Sequence, residues 1–469
     1  GHGWRVVVDT FAADRIAGRD LDGVTLTLGA RSAAIVAEVP ERGGRTLSSG
    51  ARAAEPRVLD RLSEAAGIAP EWVGVLGDRH PVNPDTRLAL LEAMGLPATT
   101  NEAAHASLAV LSRAGARRPL PPLVVAEPGT RAIVAIPREP NGRPPRALHL
   151  RLEDGAEEIV PIPLDAAQDE ITAPDGGTVR RTLVRLPKLP FGDHRIRLDE
   201  REEREATARL IVTPRACYRP PALEEGRRFG LQANLYSLRR DGDQGLGDFA
   251  TLAQLGADAG ALGAAAVGIN PLHMLFPGDR ERASPYHPSD RRFLDPIYLD
   301  IDALADLPAA ARTGHPATRL IDYKAVWEAK RTALEAAFDR FRHRPTDDDA
   351  RRAFEAFLTR RGRPLIAFAT YQVIAEDRPG VPWMRWPSHL RRPNAAGIGE
   401  VQSHNPGRVL FHCWLQWQAE RQFEAAARHA ADAGLSIGIY RDLAVGSAPD
   451  GAETWAEQDH FADRVSIGA

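Results

Sequence analysis

Cysteine is almost absent from this chain, which has only Cys217 and Cys413. Two isolated thiols form neither a disulfide framework nor a metal motif, so they are typical of a reducing compartment, and both are expected to be free and buried. No apolar run reaches the length needed to cross a membrane, and no secretion signal opens the chain. The sequence therefore predicts a soluble, cytoplasmic protein.

An excess of one charge is also lacking, because the formal net charge is only -3 at pH 7. Lysine occurs only at Lys188, Lys324 and Lys330, while the many arginines are scattered along the chain rather than arranged in a stripe. Scattered arginines are typical of solvated faces and disfavour a polyanion site. Nucleic acid is therefore not expected as a partner.

A strand, a helix and a second strand follow one another between residues 229 and 270. The two apolar runs 229–235 and 265–270 have the length of buried strands. Between them, apolar residues recur at helical spacing after a glycine-rich turn, with Asp248 placed to cap the helix and Gly263 to end it. Strands joined by a helix require a parallel crossover, so this unit predicts an α/β protein. The glycines of the turn lack the spacing of a dinucleotide fingerprint and the lysine of a phosphate loop.

Polar and aromatic side chains follow these strands, at the rim where ligands bind in a barrel of alternating strands and helices. The candidates after the second strand, in the next loop and after a third buried strand are Asn270, His273, Ser284, Tyr286 and Asp442. All of these candidates except Asn270 also have a structural alternative. A lone histidine is often a satisfied structural residue. The serine and tyrosine can form a rigid proline turn, and the aspartate can bind Arg441 or neighbouring loop amides.

Several motifs at these positions resemble those of one known family. Five segments look, in this order, like the amino-terminal part of the catalytic domain of amylomaltases, the bacterial 4-α-glucanotransferases: QANLYSLR, GLGDF, NPLH, ERASPY and DPIYLD. Two later segments, 434–446 and 451–461, resemble the third barrel strand of that family and the loop after it. The resemblance covers most of the chain from about residue 59, and it implies an incomplete (β/α)8 TIM barrel with the first three strands.

The resemblance implies a 4-α-glucanotransferase that moves α-1,4-glucan segments between maltooligosaccharides with retention of configuration. That chemistry needs a nucleophilic carboxylate and an acid/base carboxylate about 5 Å apart, with an acceptor sugar in place of water. The family takes these carboxylates, and a stabilising one, from later barrel strands, beyond Ala469. No catalytic residue is therefore expected in residues 1–469, and this chain is predicted to be inactive by itself.

The resemblance also implies roles for the candidate residues. Ser284 and Tyr286 match the donor-subsite loop, and Asp442 matches a carboxylate that binds sugar hydroxyls. Asn270 and His273 are weaker substrate-binding candidates. No metal or organic cofactor is implied, and the expected partner is a maltooligosaccharide or a glycogen- or starch-type α-glucan.

Two other functions remain open at this point. A noncatalytic glucan-binding or assembly fragment would supply its domains to a partner, and an α-glucan hydrolase would use the same carboxylates with water as the acceptor. Open barrel edges also leave backbone groups unpaired, so the chain is predicted to be poorly soluble or to contain a loosened half-barrel.

The region before the barrel divides into four parts. Residues 1–39 read as three strands, at 4–10, 24–30 and 32–39. They resemble the end of an α-amylase-superfamily glycogen debranching enzyme, which suggests a gene fusion; a small β extension is the alternative. Residues 40–57 read as a linker, and residues 58–118 as a helical domain with helices at 58–66, 85–94 and 102–114. Seven alternating runs predict a β-sandwich at 123–214. Its only aromatic residue is Phe191, so a spacer or docking role is favoured over sugar binding.

The barrel is predicted at 222–469, with a helical insertion at 321–433. Its last helix is expected to run from Leu415 to Ala433. Three prolines interrupt the segment 382–393 and exclude a regular helix there. Trp383 and Trp386 in this segment could stack on glucose rings or fix the loop, and the second is slightly favoured.

Overall fold

The computed structural model describes residues 54–138, 145–199, 206–224, 226–308, 320–462 and 465 in full, and residues 3–9, 20–21 and 34–39 as backbone. The chain forms two compact units, of which the first comprises Gly1–Cys217 with Asp463–Ala469 and the second Tyr218–Ala462. Each unit has hydrophobic clusters of its own.

The first strands of the chain form a small antiparallel sheet. Strand β1 (Gly3–Asp9) lies between β2 (Asp20–Leu21) and β3 (Ala34–Val39). This confirms the first and last of the three predicted strands. The predicted strand at 24–30 and most of the predicted linker, 40–53, lie outside the described residues.

Three helices follow: α1 (Pro56–Ala65), α2 (Pro84–Ala93) and α3 (Asn101–Ala114). They enclose a core that includes Leu62, Leu91 and Leu108, each of which is fully buried. Caps on Asn83 and Thr100 set two of the starts, as each side chain accepts a hydrogen bond from the first helical turn. The three predicted helices are confirmed. A hairpin of β4 (Glu71–Val73) and β5 (Arg79–Pro81) was not predicted, because its residues are exposed and carry no apolar alternation.

The predicted β-sandwich is confirmed. One sheet has the strand order β6-β13-β12-β8-β9 and the other β10-β11-β7, and the apolar residues of both form one buried cluster. The strands are β6 (Leu123–Ala126), β7 (Ile133–Pro137), β8 (Ala147–Arg151), β9 (Glu157–Pro161), β10 (Gln168–Thr172), β11 (Thr178–Arg185), β12 (Gly192–Leu198) and β13 (Thr207–Val212).

The second unit is built on a parallel sheet of β14 (Gly230–Ala233), β15 (Ala266–Ile269) and β18 (Gly438–Arg441), in that order. Helix α4 (Phe249–Ala261) makes the crossover between the first two strands. Asp248 caps it by accepting the Thr251 N–H at 2.8 Å, and Gly263 follows its end with φ +85. The α/β class, the crossover and both helix boundaries are therefore confirmed.

The residues between β15 and β18 contain a short hairpin and a group of helices. Their bounds are β16 (His273–Met274), β17 (Asp290–Leu294), α5 (Tyr323–Arg342), α6 (Asp349–Glu376), α7 (Ala396–His404) and α8 (Pro406–Asp432), and α9 (Ala452–Ala456) follows β18. Gly362 breaks the regular path of α6 with φ 57 and ψ -145. Helix α8 begins at Pro406 rather than at the predicted Leu415. In the described part of the chain, no helix has both the length and the apolar character of a membrane span.

The two cysteines differ in their surroundings. Both are free, as expected, and Cys413 is buried in α8, but Cys217 is exposed at the end of the first unit. The expectation that both thiols are buried is therefore wrong for Cys217. Burial raises the pKa of Cys413 to about 12, so this thiol stays protonated at neutral pH.

Lys330 is a buried cation in the helical insertion, with only 2% of its surface exposed. Its ammonium group donates hydrogen bonds of 2.7 Å to the carbonyls of Ile297 and Leu299. The lysine therefore attaches α5 to the turn after β17. Burial lowers the pKa of Lys330 to about 8, although the charges of Asp248 and Asp300 oppose this change.

The lowered pKa of Lys330 predicts an unusual dependence of stability on pH. Because the unfolded chain holds this proton to higher pH than the folded one, the free energy of unfolding should rise by roughly 2 kcal/mol between about pH 7.5 and about pH 9.5. Urea denaturation should show this rise in the wild type and not in Lys330→Met. The exposed Lys324→Met is the matched control and should keep the rise. The same rise in Lys330→Met would contradict the assignment.

Candidate functional site

The site lies at the carboxyl edge of the parallel sheet. Ala233, Ile269 and Arg441 are paired across the three strands, so the residues that follow them emerge side by side. Asp442 is joined to this edge through its backbone, because its N–H donates to the carbonyl of Ile269 at 2.9 Å. Its own carboxylate accepts the N–H of Leu443 at 2.9 Å. The aspartate is exposed, with its carboxylate at the mouth of the sheet.

Tyr286 and Asp442 meet at this edge, although they lie far apart in the sequence. The phenol of Tyr286 lies near the Asp442 carboxylate, and the interaction with this carboxylate is the largest cause of the raised pKa of Tyr286. The phenol of Tyr236, just after β14, adds a smaller contribution of the same sign. Tyr286 remains 54% exposed. The ring and its hydroxyl are therefore open to a ligand.

The loop that carries Tyr286 is bound to the loop after β18 by backbone hydrogen bonds. The N–H of Ala448 donates to the carbonyl of Pro288 at 2.7 Å, and the N–H of Glu453 to the carbonyl of Ser289 at 3.0 Å. Gly451 makes this approach possible, since a Cβ at that position would lie 2.3 Å from the Ser289 oxygen. The loop with Ser284 and Tyr286 (residues 284–289) and the segment after β18 (residues 442–453) are thus connected. Together they are called the lip.

An ion pair between Arg291 and Glu453 strengthens the same connection. The guanidinium binds both carboxylate oxygens, with a closest distance of 2.7 Å, and also donates to the carbonyl of Val445 at 3.0 Å. Burial opposes ionisation of Glu453, but the hydrogen bonds from Arg291 and Ser447 outweigh it and hold the pKa of Glu453 at about 2. The pair is therefore charged at any physiological pH. Sequence reasoning missed it, because neither residue stands in a local pattern that points to the other.

A second ion pair, between Arg282 and Asp450, also connects the two segments of the lip. Arg282 contacts both oxygens of Asp450 at 2.8 Å, and the hydroxyl of Tyr371 donates to the Asp450 carbonyl at 2.7 Å. Arg282 also lies 3.4 Å above the centre of the Phe276 ring. These contacts attach the lip to helix α6 of the insertion.

Asn270 differs from its prediction as a sugar-binding residue. Its side chain is buried, with 3% exposed. The amide oxygen accepts the N–H of Leu235 at 2.7 Å, and the amide nitrogen donates to the Pro271 carbonyl at 2.7 Å and the Tyr298 hydroxyl at 3.3 Å. The amide is thus used inside the protein. Asn270 holds the end of β14 against the end of β15, which is a structural role.

His273 also faces the protein rather than an open pocket. Its Nε2 accepts the N–H of Ala444 at 3.2 Å, and the backbone of Arg291 lies near enough to the ring to influence its pKa. Of the two interpretations left open by the sequence, these contacts favour the satisfied structural histidine.

Of the remaining aromatic and hydroxyl candidates, one is exposed and the two tryptophans are hydrogen-bonded within the protein. Ser284 is exposed beside Tyr286, and its carbonyl accepts the N–H of His287 at 3.2 Å. Trp386 is 1% exposed and donates its indole N–H to the carbonyl of Val381 at 2.9 Å, so it fixes its loop instead of stacking on a sugar. Trp383 is likewise bound, by a 3.1 Å hydrogen bond to the Pro449 carbonyl.

The lip therefore presents an exposed phenol ring, hydroxyl groups and one carboxylate, on loops that hydrogen bonds and two ion pairs hold together. Such a combination suits a neutral, hydroxyl-rich ligand, because the ring covers an apolar sugar face while the oxygens bind hydroxyl groups. Together with the parallel sheet and the preceding sandwich, these features define an α/β protein with exposed hydroxyl and carboxylate groups at the carboxyl edge of its sheet.

Comparison with known proteins identifies the family of this chain. A family model described as 4-alpha-glucanotransferase matches residues 233–469, and a model described as the MalQ N-terminal beta sandwich domain matches residues 119–214. The chain belongs to the 4-alpha-glucanotransferase family. The second match covers the sandwich strands described above.

Individual relatives agree with this assignment. A 4-alpha-glucanotransferase from Mycobacterium tuberculosis (strain H37Rv) is 37% identical over 437 residues, which are 88% of this chain and 58% of the relative. One from Haemophilus influenzae is 31% identical over 313 residues, 61% of this chain and 44% of the relative. The crystal structure of amylomaltase from Corynebacterium glutamicum is similar with a TM-score of 0.67 and 29% identity, over 85% of this chain and 56% of that one. The chain thus spans about half the length of these proteins, between 44% and 58%.

Proposed function

We propose that this chain provides the sugar-binding lip of a 4-α-glucanotransferase, which transfers α-1,4-glucan segments between maltooligosaccharides. The reaction proceeds with retention, through a covalent glycosyl-enzyme that an acceptor sugar resolves. Tyr286, Asp442 and Ser284 bind the glucan in this proposal. The observation that carries it is the meeting of Tyr286 and Asp442 at one strand edge, in a chain that belongs to this family.

The contacts around the lip support this role. Bound sugar loses affinity when the groups that orient it are mobile, and rigid loops avoid that entropic cost. The Arg291–Glu453 and Arg282–Asp450 ion pairs fix both sides of the lip before any ligand arrives. The exposed phenol of Tyr286 is therefore already in position when a glucose ring binds.

Several finer statements belong to the same proposal. The three parallel strands are the first three of a (β/α)8 barrel, and the carboxylates that react belong to later strands of that barrel. Residues 1–39 resemble the end of a glycogen debranching enzyme fused to the transferase. The sandwich serves as a spacer or docking domain, and the protein acts in the cytoplasm on maltooligosaccharides or glycogen- or starch-type glucan.

The test measures glucan transfer by the protein expressed from the complete reading frame. From maltotriose, the wild type should release glucose and form longer chains. Tyr286→Phe and Asp442→Asn should each lower kcat/KM by roughly 10-fold to 100-fold, because each removes a hydrogen bond to the sugar or to its partner. Tyr218→Phe and Asp432→Asn, at exposed positions outside the lip, are the matched controls.

The outcomes separate the candidate functions. Unchanged kcat/KM in both lip variants would contradict the assignment of the lip. Glucose and maltose without longer products would indicate a hydrolase, and glucan binding without turnover by the wild type would indicate a noncatalytic binding protein.

A further inference from the structure

One partly buried contact connects the loop after β15 with the loop after β18. Nε2 of His273 accepts the backbone N–H of Ala444 at 3.2 Å. Ala444 is 1% exposed, and Asp442 lies two residues before it in the chain. The histidine therefore holds the segment that carries the exposed carboxylate of the lip.

The contact determines which nitrogen of His273 carries the proton. A neutral imidazole has one N–H and one lone pair. Because Nε2 uses its lone pair for the N–H of Ala444, the proton of the neutral ring lies on Nδ1. The nearby backbone of Arg291 acts to raise the pKa of the ring, which agrees with a carbonyl oxygen facing the protonated nitrogen.

Charges on three neighbouring elements act on the ring. Burial lowers the pKa of His273 below its usual value of 6.5, and the positive charges of Arg441 on β18 and Arg291 on β17 lower it further. The charge of Glu453 on α9 acts in the opposite sense. The ring is therefore neutral at pH 7, in the form that can accept the Ala444 N–H.

We propose that His273 is a positioning residue, which in its neutral form fixes the Asp442 segment of the lip by accepting the N–H of Ala444. Protonation places a hydrogen on Nε2, where it opposes the N–H of Ala444, so the bond is lost. The lip is held at neutral pH and loosened when the ring takes up a proton. Its significance for glucan transfer rests on the proposed function, whereas the contact itself is a property of this chain.

Hydrogen exchange of the segment 442–448 tests the contact directly. His273→Gln keeps an acceptor of similar reach that does not titrate, and His273→Met fills similar volume without an acceptor. After correction for intrinsic rates, exchange at Ala444 in the wild type should become about fivefold faster than at pH 8 once the pH falls low enough, below 6.5, to protonate the ring, as expected for one lost hydrogen bond. His273→Gln should show no such step, and His273→Met should exchange faster throughout.

Turnover by the protein from the complete reading frame provides the second measurement. His273→Met should lower kcat/KM for maltotriose by about 10-fold, His273→Gln should recover most of it, and the exposed His404→Gln is the control. Equal exchange at Ala444 in the wild type and in His273→Met at pH 8 would overturn the positioning role, whatever the activity. The expected exchange pattern without glucan transfer by the wild type would support the contact and reject the proposed function.

Discussion

Replacing Asp295 by alanine is expected to lower the free energy of unfolding by about 3–5 kcal/mol. Asp295 is fully buried and accepts three hydrogen bonds, from Arg280 at 2.7 Å and from the N–H groups of Leu275 and Ile297 at 3.0 and 2.9 Å. Arg280 is itself only 6% exposed and lies 4.4 Å from the centre of the Trp327 ring. Without the carboxylate, a buried guanidinium would keep its charge and lose its partner.

Urea denaturation of the wild type and the variant measures this effect. The double variant Arg280→Met with Asp295→Leu should recover much of the loss, because apolar residues that replace both partners leave no unpaired charge. Arg331→Met changes an exposed arginine of α5, the helix that carries Trp327, and it should cost less than about 0.5 kcal/mol. A loss below about 1 kcal/mol in Asp295→Ala would show that water reaches Arg280.

Trp386→Ala should have an effect of similar size, about 3–5 kcal/mol. The indole packs against Tyr371 and Trp455, with ring centres 5.2 and 6.3 Å away. Trp455 belongs to α9, next to Glu453 of the lip. The alanine variant leaves a large cavity at this junction, so both overall stability and the order of the lip should decrease.

Two further variants serve as comparisons for Trp386→Ala. Met384→Ala, in the same loop but 44% exposed, should cost less than about 0.5 kcal/mol in urea denaturation. Trp386→Phe retains most of the packing and loses the hydrogen bond to Val381, so its cost should lie between the two. If the alanine variant were as stable as Met384→Ala, the tryptophan would not hold the loop, and stacking on a sugar would become the better explanation.

The sequence is enough to predict an element that has both a regular spacing of apolar residues and typical start and stop residues. Helix α4 has an apolar stripe, a capping Asp248 and a terminal Gly263, and it was predicted correctly. Strand β10 was missed because most of its residues are polar and its charges are satisfied across the sheet, where Arg180 binds Glu170 and Arg181 binds Asp169. The start of α8 was missed because residues 411–419 are all buried, and a helix buried on every side has no stripe.

The site was predictable to the extent that its residues follow strand ends. The motifs placed Tyr286 and Asp442 at one rim, and the structure brings them together. The roles of His273 and Asn270 were not predictable, because they depend on partners that are close only after folding. His273 and Ala444 are 171 positions apart in the chain. A single sequence contains no local pattern that links positions so distant.

The arrangement of the parallel sheet has a consequence for how the molecule forms. Strand β18 pairs directly with β15, although the whole segment 270–437 lies between them. Joining such distant strands is entropically costly until the intervening helices have collapsed. The edge that holds Asp442 should accordingly be among the last parts to assemble during folding, so a nascent chain gains its lip only after β18 has left the ribosome.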